Sequence, residues 1–564
     1  MTTIAVRPER IRLASKKKKA AFTAHFRLMV LLLVFVAIVT VIVGRLLSFG
    51  LFEASNNVFQ STTELVPPRG DIVDRNGVPL ARTIKGYAIR VVPNNILGDR
   101  KILAQKLAAI FPEITEEAFY KKLTGKRPTY LKRRALPSEV SKVHALGEVG
   151  IGFPREDERL YPQHALGAHI LGYTNSEGKG VMGMERAFDE RLSDKSLRSQ
   201  PLALSIDSRV QAALESELNS AMLKHEARGA AGVVLDVNSG EIMGLTSLPI
   251  FNPNKIEASK IKNQSNAVTY SVYELGSTFK PITIAAALDA GVVTDLATRY
   301  NATEPLQVGR FKISDTHPQN RYLNVPETLV HSSNIVTARI ADNLGRERME
   351  NVMRSLDFDK RPAIELVEKG RPLWPKTWSR VTNMTVGYGH GIAVTPLHLA
   401  SAYAALVNGG IWRPATLERV EPGQAVEGRR VFKAATSARM RQLLRMIVAN
   451  GTGRKADAKG YRVGGKTGSA EKPSNGGYNK SSLVSTFAAA FPMDNPKFVV
   501  IAMLDEPKGI AETSFQRTAG WTAAPVVKKL VPRIGPMLGV IPDEHRDVNV
   551  AELTPLLWAP KEKN

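Results

Sequence analysis

The chain has no cysteine in 564 residues. Disulfide staples and cysteine-ligated metal centres are therefore excluded, and an oxidising compartment is permitted without being required. Acid is scarce as well: 53 Asp and Glu stand against 77 Lys and Arg, a formal charge of +24. The first 27 residues carry +7 of it, from Arg7, Arg10, Arg12, Lys16 to Lys19 and Arg27 against Glu9 alone, leaving +17 on the remainder. Such charge favours polyanions or an anionic surface. Yet the chain shows no nucleic-acid motif and no stripe of basic and aromatic residues, so nucleic acid is not expected as a partner. A diffusely basic, solvated surface accounts for the excess. Long apolar runs are missing too, with one exception. Leu28 to Gly44 runs 17 residues without a charge between Arg27 and Arg45, and Leu46, Leu47 and Phe49 extend it.

As a helix that run is long enough to cross a hydrocarbon core. The Lys16 to Lys19 cluster on its N-terminal side predicts a cytoplasmic N-terminus. A cleaved signal peptide is the competing reading, with Ser48-Phe49-Gly50 as a weak small-x-small site. The apolar region is long for that, and Arg45 falls just before the would-be cut. The expectation is a basic tail over 1–27, a membrane anchor over 28–48, and everything beyond about residue 50 outside the cytoplasm.

The length suggests two or three domains, and 43% hydrophobic with 23% charged residues reads as globular. Ile72 and Val73 run into the turn Asp74-Arg75-Asn76-Gly77 and return through Val78 and Leu80, which predicts a hairpin. Short strands and amphipathic helices follow, among them Arg100 to Phe111. Residues 208–224 show apolar spacing of three and four, which predicts a helix. Near Arg228 the composition shifts. AGVVLDV and EIMGLTS flank the Asn238-Ser239-Gly240 turn as a buried hairpin. The stretches YRVGGKTGSAEK, STFAAAF and FVVIAML read as further strands, and 519–539 as a closing helical segment interrupted by prolines. The last 20 or so residues are polar and proline-rich, which predicts a loose tail.

Three short motifs carry chemistry: Ser277-Thr-Phe-Lys280, Ser332-Ser-Asn334 and Lys466-Thr-Gly468. None is strong alone, since S-x-x-K recurs at Ser15, Ser176, Ser259 and Ser469, and S-x-N at Ser55. Their order, their contexts and the single K-T-G give them weight. Gly276 and Ser277 precede a helix that ends at Gly291, with Pro281 in its first turn, where a missing N–H costs little. Ser277 thus falls at a helix N-terminus, and Lys280 shares its face. A serine hydroxyl attacks well only when a base removes its proton. An amine serves as that base only when neutral, and burial plus a neighbouring cation, Lys466, lower its pKa. Ser332 and Lys466 would carry the proton to the leaving group. Asn334 suits a peptide amide, and Thr467, Gly468 and Ser469 would hold a substrate carboxylate. The backbone N–H groups of Ser277 and Ser469 would form the oxyanion hole. Singly these residues read as a cap, two loop residues and a solvated strand charge. His331 reads as a local neighbour of Ser332, because no Ser-His-Asp context is present.

With these motifs in hand, the chain resembles the class B penicillin-binding proteins, the monofunctional peptidoglycan D,D-transpeptidases. The resemblance also rests on RGDIVDRNGVPLA (69–81), RLYPQHALGAHILGY (159–173), GMERAFD (183–189), TVGYGHGIAVTPLHLA (385–400), NGTGRKA, GGKTGSA and TAGWTAAPV (518–526). It implies an α/β (α+β) architecture. A serine β-lactamase/transpeptidase-like domain at 225–540, with an antiparallel sheet flanked by helices, would follow an elongated α+β pedestal at 60–200 and one transmembrane helix. A tail would close the chain at 541–564. The division-specific subfamily is the nearest match in layout. The implied roles are Ser277 as the acylated residue, Lys280 as base, Ser332 in proton transfer, and Lys466, Thr467 and Ser469 lining the donor site. Stem peptides ending in D-Ala-D-Ala, β-lactams, the membrane, a membrane-embedded glycan polymerase and other divisome proteins are the implied partners. The location would be the septal inner membrane, with the catalytic domain periplasmic. Neither cofactor nor metal is expected. Leu275 and Ser469 depart from the family's usual Pro and Thr; the second is expected to alter grip on carboxylates and β-lactams.

The alternatives are an elongation-specific relative, a D,D-carboxypeptidase or β-lactamase, and a β-lactam sensor or inactive scaffold. A simple hydrolase needs neither anchor nor pedestal. A sensor would be expected to carry several spans and a cytoplasmic signalling domain, and a dead scaffold to have lost Ser277, Lys280 or Lys466.

Overall fold

The structure, a computed structural model, describes residues 8–48, 69–256, 265–474 and 477–558. Helix α1 (Pro8–Ser48) contains His25–Arg45, 21 residues of mean hydropathy 3.0 and fully exposed, long and apolar enough to cross a membrane. At 1.5 Å per residue it spans about 31 Å. Phe49 and Gly50 of the weak cleavage site, and residues 60–68 at the expected start of the pedestal, lie outside the described residues.

The expected hairpin forms from β1 (Ile72–Val73) and β2 (Pro79–Val91), paired antiparallel. Buried Asp74 holds the turn: its Oδ1 accepts the N–H groups of Asn76 and Val78, both at 2.8 Å. Its Oδ2 accepts the Ser208 N–H and hydroxyl, so one carboxylate ties the turn to the start of the helix at 208. Strand β2 runs 13 residues and anchors a six-stranded sheet with β1, β3 (Thr129–Ala135), β4 (Arg155–Leu160) and the short strands Ile151–Gly152 and Leu202–Ala203. The amphipathic helix expected at 100–111 appears as Arg100–Ile110, capped by Asp99, and buries Leu103 and Leu107 in a small core with Ile89, Phe111, Phe119 and Leu131.

A buried ion cluster ties the RGD stretch to GMERAFD. Glu185, its side chain 0% exposed, meets Arg69 Nε at 2.6 Å and Arg159 Nε at 2.7 Å; Arg69 also reaches Asp189 at 2.8 Å. Removing the central anion would leave two guanidinium groups buried against each other. Glu185→Ala is therefore expected to cost about 3–5 kcal/mol, read as a lowered melting temperature of the detergent-solubilised chain. Glu185→Gln, which keeps part of the hydrogen bonding, should lose clearly less. Equal melting of wild type and Glu185→Ala would refute a structural role for the cluster.

Beyond the expected helix α2 (Ser208–Lys224) comes a five-stranded antiparallel sheet: β5 (Gly229–Asp236), β6 (Ile242–Leu248), β7 (Gly464–Ser474), β8 (Gly477–Phe491) and β9 (Phe498–Asp505), in the order β6-β5-β9-β8-β7. Strands β5, β6 and β9 are mostly apolar because both faces of the sheet are covered there. Alternate residues of β9 part cleanly. Val499, Ile501 and Met503 join the core that also holds Phe279, Ile284 and Tyr403. Phe498, Val500, Ala502 and Leu504 join a second core with Leu214 and Leu218 of α2 and with Val527, Leu530 and Val531 of the C-terminal helix Ala524–Ile534. The first core is continuous with Ile72, Leu80 and Leu202, so the pedestal's lower part and the sheet domain share one interior.

Over residues 541–558 the expectation of a loose tail is corrected. Leu553 is 2% exposed, Leu556 O accepts from Asn324 Nδ2 at 2.7 Å, and Trp558 N–H donates to Glu327 Oε1 at 2.9 Å. Arg445 pairs with Asp547. Polar composition concealed these contacts, because the few apolar anchors, Leu553 in the main core with Val548, Leu556 and Leu557 packed against it, are spread among charged and polar residues.

Candidate active site

Ser277 lies in a 3₁₀ turn, Gly276–Phe279, that runs into helix α3 (Lys280–Asp289). From Lys280 to Ala287 every residue of α3 is buried. A helix apolar all round belongs in a core, so the lysine at its head goes in with it. The turn is braced from behind. Gly276 N–H donates to Gly389 O at 3.2 Å, and Tyr403 hydroxyl donates to Thr278 O at 2.9 Å. Gly389 sits at φ +83°, and a Cβ there would lie 2.1 Å from Gly276 O, so only glycine fits.

Ser332 and Asn334 flank the start of helix α4 (Asn334–Leu344), with Ser333 as N-cap. Asp315 completes the cap, accepting from Ser333 Oγ at 2.7 Å and from the N–H groups of Asn334 and Ile335 at 2.6 and 3.0 Å. Ser332 takes φ +61°, a left-handed conformation that costs a non-glycine residue about 1–3 kcal/mol and clusters at functional sites. Its hydroxyl is where the three motifs meet. Ser332 Oγ accepts from Lys280 Nζ at 3.2 Å and from Lys466 Nζ at 2.9 Å, and Lys280 Nζ also donates to Ser332 O.

Lys466 comes from β7, an edge strand whose outer side faces the catalytic turn. Gly468 permits the approach, because a Cβ there would stand 2.4 Å from Leu275 O. Lys466 Nζ further donates to Thr467 O and Oγ1 at 3.1 and 3.2 Å. Both lysines are fully buried. Burial, reinforced by the Lys466 charge, pushes the Lys280 pKa well below that of an ordinary amine; burial alone brings Lys466 down to about 7. This is the setting a neutral amine base requires.

Ser277, Ser332, Thr467 and Ser469 open onto one groove of about 250 Å³. Ser469 Oγ accepts from Ala519 N–H at 3.0 Å, which leaves its own proton free for a ligand. Asn334 is placed differently. Its Nδ2 donates to Ser314 O at 2.9 Å, and it is not among the residues lining the groove. Ser277 Oγ has no hydrogen-bond partner among the described residues; catalytic hydrogen bonds often close only when substrate binds. His331 lines the groove half-buried, its pKa lowered by burial and by Arg321.

Sequence reasoning gave no role to Thr452, whose hydroxyl shares a 2.9 Å hydrogen bond with Thr467, nor to Asp315, Lys455 or Trp521. The stretches NGTGRKA and TAGWTAAPV had already drawn notice and hold three of these four residues. Asp315 had no local signal.

Comparison with known proteins agrees with this geometry. Residues 230–531 match the penicillin binding protein transpeptidase domain family, and residues 64–200 the penicillin-binding protein dimerisation domain family. The chain is 40% identical over 482 residues to the probable peptidoglycan D,D-transpeptidase FtsI of Caulobacter vibrioides, covering 84% of this chain and 82% of the relative. It is 29% identical to peptidoglycan D,D-transpeptidase FtsI of Escherichia coli K12, covering 84% of each. Among solved structures, penicillin binding protein 3 of Mycobacterium tuberculosis, complexed with aztreonam, superposes with a TM-score of 0.66 at 23% identity, over 85% of this chain and 97% of that one. A peptidoglycan synthetase of Bifidobacterium adolescentis gives 0.65 at 22% identity, over 85% and 96%.

Proposed function

The chain belongs to the class B penicillin-binding proteins, and from that premise we propose how its residues cross-link peptidoglycan at the septum. It is a serine-type D,D-transpeptidase. Ser277 Oγ attacks the carbonyl of the penultimate D-Ala of a stem peptide while its proton passes to the neutral Lys280 amine. The N–H groups of Ser277 and Ser469 receive the developing oxyanion. The carbon–nitrogen bond then breaks, Lys466 delivers a proton through Ser332 to the departing D-Ala amine, and an acyl-enzyme remains. An amine of a neighbouring stem peptide attacks that ester and gives its proton through Ser332 to Lys466, while Lys280 returns a proton to Ser277 Oγ as the ester bond breaks. Thr467 and Ser469 hold the terminal carboxylate, and Asn334 would reach the peptide amide only by releasing Ser314 O.

One observation carries this reading: Ser332 Oγ lies within hydrogen-bond reach of both buried lysines, beside the turn that bears Ser277. A β-lactam presents an amide carbonyl to the same serine, so it acylates and blocks the site.

The basic residues on the N-terminal side of the apolar stretch of α1 support an N-terminus in the cytoplasm and a catalytic domain in the periplasm. The chain from about 50 to 225 carries no recognised paired-carboxylate motif, which supports a docking role beside a separate membrane-embedded glycan polymerase and divisome proteins. Depletion in the native bacterium is expected to leave cells growing as filaments that cannot close septa. Swollen, rounded cells with normal septa would place the chain in elongation instead.

A further inference from the structure

The segment that leads into the nucleophile lies along one loop, and main-chain bonds fasten it at two points. Tyr273 and Val394 each donate an N–H to the other's carbonyl, at 2.9 and 3.0 Å. Gly276 N–H donates to Gly389 O at 3.2 Å. Between these points a side chain adds a third tie. Glu274, three residues before Ser277, accepts the Gly391 N–H on Oε1 at 2.9 Å, and its Oε2 lies 3.2 Å from His390 Nδ1. The glutamate side chain is 10% exposed and the histidine side chain 28%.

The pair is built to hold rather than to react. A carboxylate so deeply set is costly unless both oxygens are engaged, and His390 engages the one that Gly391 leaves. Nδ1 can carry a proton whether the ring is neutral or charged, so the contact does not depend on the ring's charge. The loop it holds is one that glycine makes pliable. Gly389 and Gly391, on either side of His390, take φ +83° and +77°, and glycine loses more freedom on folding than any other residue. The imidazole rests against Tyr388, ring centroids 5.4 Å apart, and His390 N–H donates to Thr385 O at 3.0 Å. Gly389 O is the acceptor for Gly276 N–H, so a loop that relaxes at 389–391 moves the residue next to the nucleophile. Neither Glu274 nor His390 lines the groove, and the proton relay runs without them.

We propose that Glu274 and His390 are positioning residues for the acyl transfer. Together they clamp the 389–391 loop against the segment before Ser277, and so hold Ser277 Oγ in line with Ser332 and with the Ser469 N–H. This rests on the transpeptidase reading above and adds two residues to it. A misplacement of about 1 Å in a reacting group costs about 10²-fold in rate. Loss of the clasp leaves both main-chain ties in place, so the displacement is a fraction of that and the fold survives.

The test reads acylation of the full-length chain in detergent by benzylpenicillin, with the limiting rate and the dissociation constant measured separately. His390→Phe keeps a ring against Tyr388 and removes Nδ1; Glu274→Leu removes the carboxylate. Each is expected to lower the limiting rate by about tenfold, less than the penalty for a full ångström. The dissociation constant and the melting temperature should stay nearly unchanged. The double variant should be no slower than either single one, because both remove the same contact. His390→Asn, whose amide N–H can stand where Nδ1–H stood, should recover most of the rate. Should Glu274→Leu fail to fold, with the Gly391 N–H left against a methyl group, the partly exposed His390 carries the test through its Phe and Asn variants. Wild-type rates in the folded single variants, losses that multiply in the double variant, or a loss that falls on the dissociation constant would each overturn the clasp. So would a rate that drops only in step with the melting temperature. Failure of the clasp leaves wild-type acylation intact, whereas a wild type that forms no adduct would sink the transpeptidase reading and the clasp with it.

Discussion

A chain carrying Ser277→Ala is expected to form no covalent adduct with penicillin and to transfer no acyl group, a loss of about six orders of magnitude where a serine nucleophile is removed. Its stability should be nearly unchanged, because Ser277 Oγ makes no hydrogen bond among the described residues and the turn is held by Gly276, Thr278 and Tyr403 instead. The variant separates two serines that geometry alone leaves in competition. Ser332 Oγ carries the contacts to both lysines. Ser277 has the better setting for an attacking group: the head of a buried helix, where backbone N–H groups and the helix dipole favour negative charge, beside the edge of β7. A fluorescent-penicillin gel of membranes holding each variant reads the outcome. Full labelling of Ser277→Ala would move the nucleophile elsewhere.

Lys280→Arg should acylate about 10²–10⁴-fold more slowly than wild type, the usual span for loss of a general base. An arginine stays charged at any working pH, whereas Lys280 is buried and its pKa pushed well down by burial and by Lys466. Lys280→Met, apolar and similar in reach, suits the same slot and should be equally slow while melting normally. That keeps the test informative if a buried guanidinium disturbs folding. The pH profile of wild type adds a sign. Lys280 works as the neutral amine, so kcat/KM rises as pH climbs through its lowered pKa. Lys466 works as the cation, so the rate falls as pH passes about 7, where Lys466 gives up its proton. A bell with its alkaline limb near neutrality is expected. A profile that keeps rising toward the ordinary lysine range near 10 would refute a pre-neutralised base.

Much of this site was legible in the chain because its residues are fixed by local rules. Glycine, serine and an early proline mark the helix start at 277, and a Gly-Gly pair before Lys466 marks a strand that must be approached closely. The hairpin at 72–80 and helix 208–224 were legible for the same reason: turn chemistry and apolar spacing act over a few residues. What stayed hidden depends on distant partners. Asp315 caps α4 from 18 residues before Ser333, and no spacing rule points to it. Thr452 matters only because β7 places Thr467 opposite it. Asn334 looked like a groove residue by its motif, yet its amide is turned to Ser314 O. The docked tail was missed because its apolar anchors, such as Leu553 and Leu557, are scattered among polar residues, and its ion pairs and main-chain contacts read in composition as solvent exposure.

The most direct measurement is peptide mapping by mass spectrometry of the wild-type chain after reaction with benzylpenicillin. The account predicts one added penicilloyl mass, confined to the peptide that contains Ser277, and no modification of the peptide that contains Ser332. An adduct on Ser332, or on any serine other than Ser277, would contradict it.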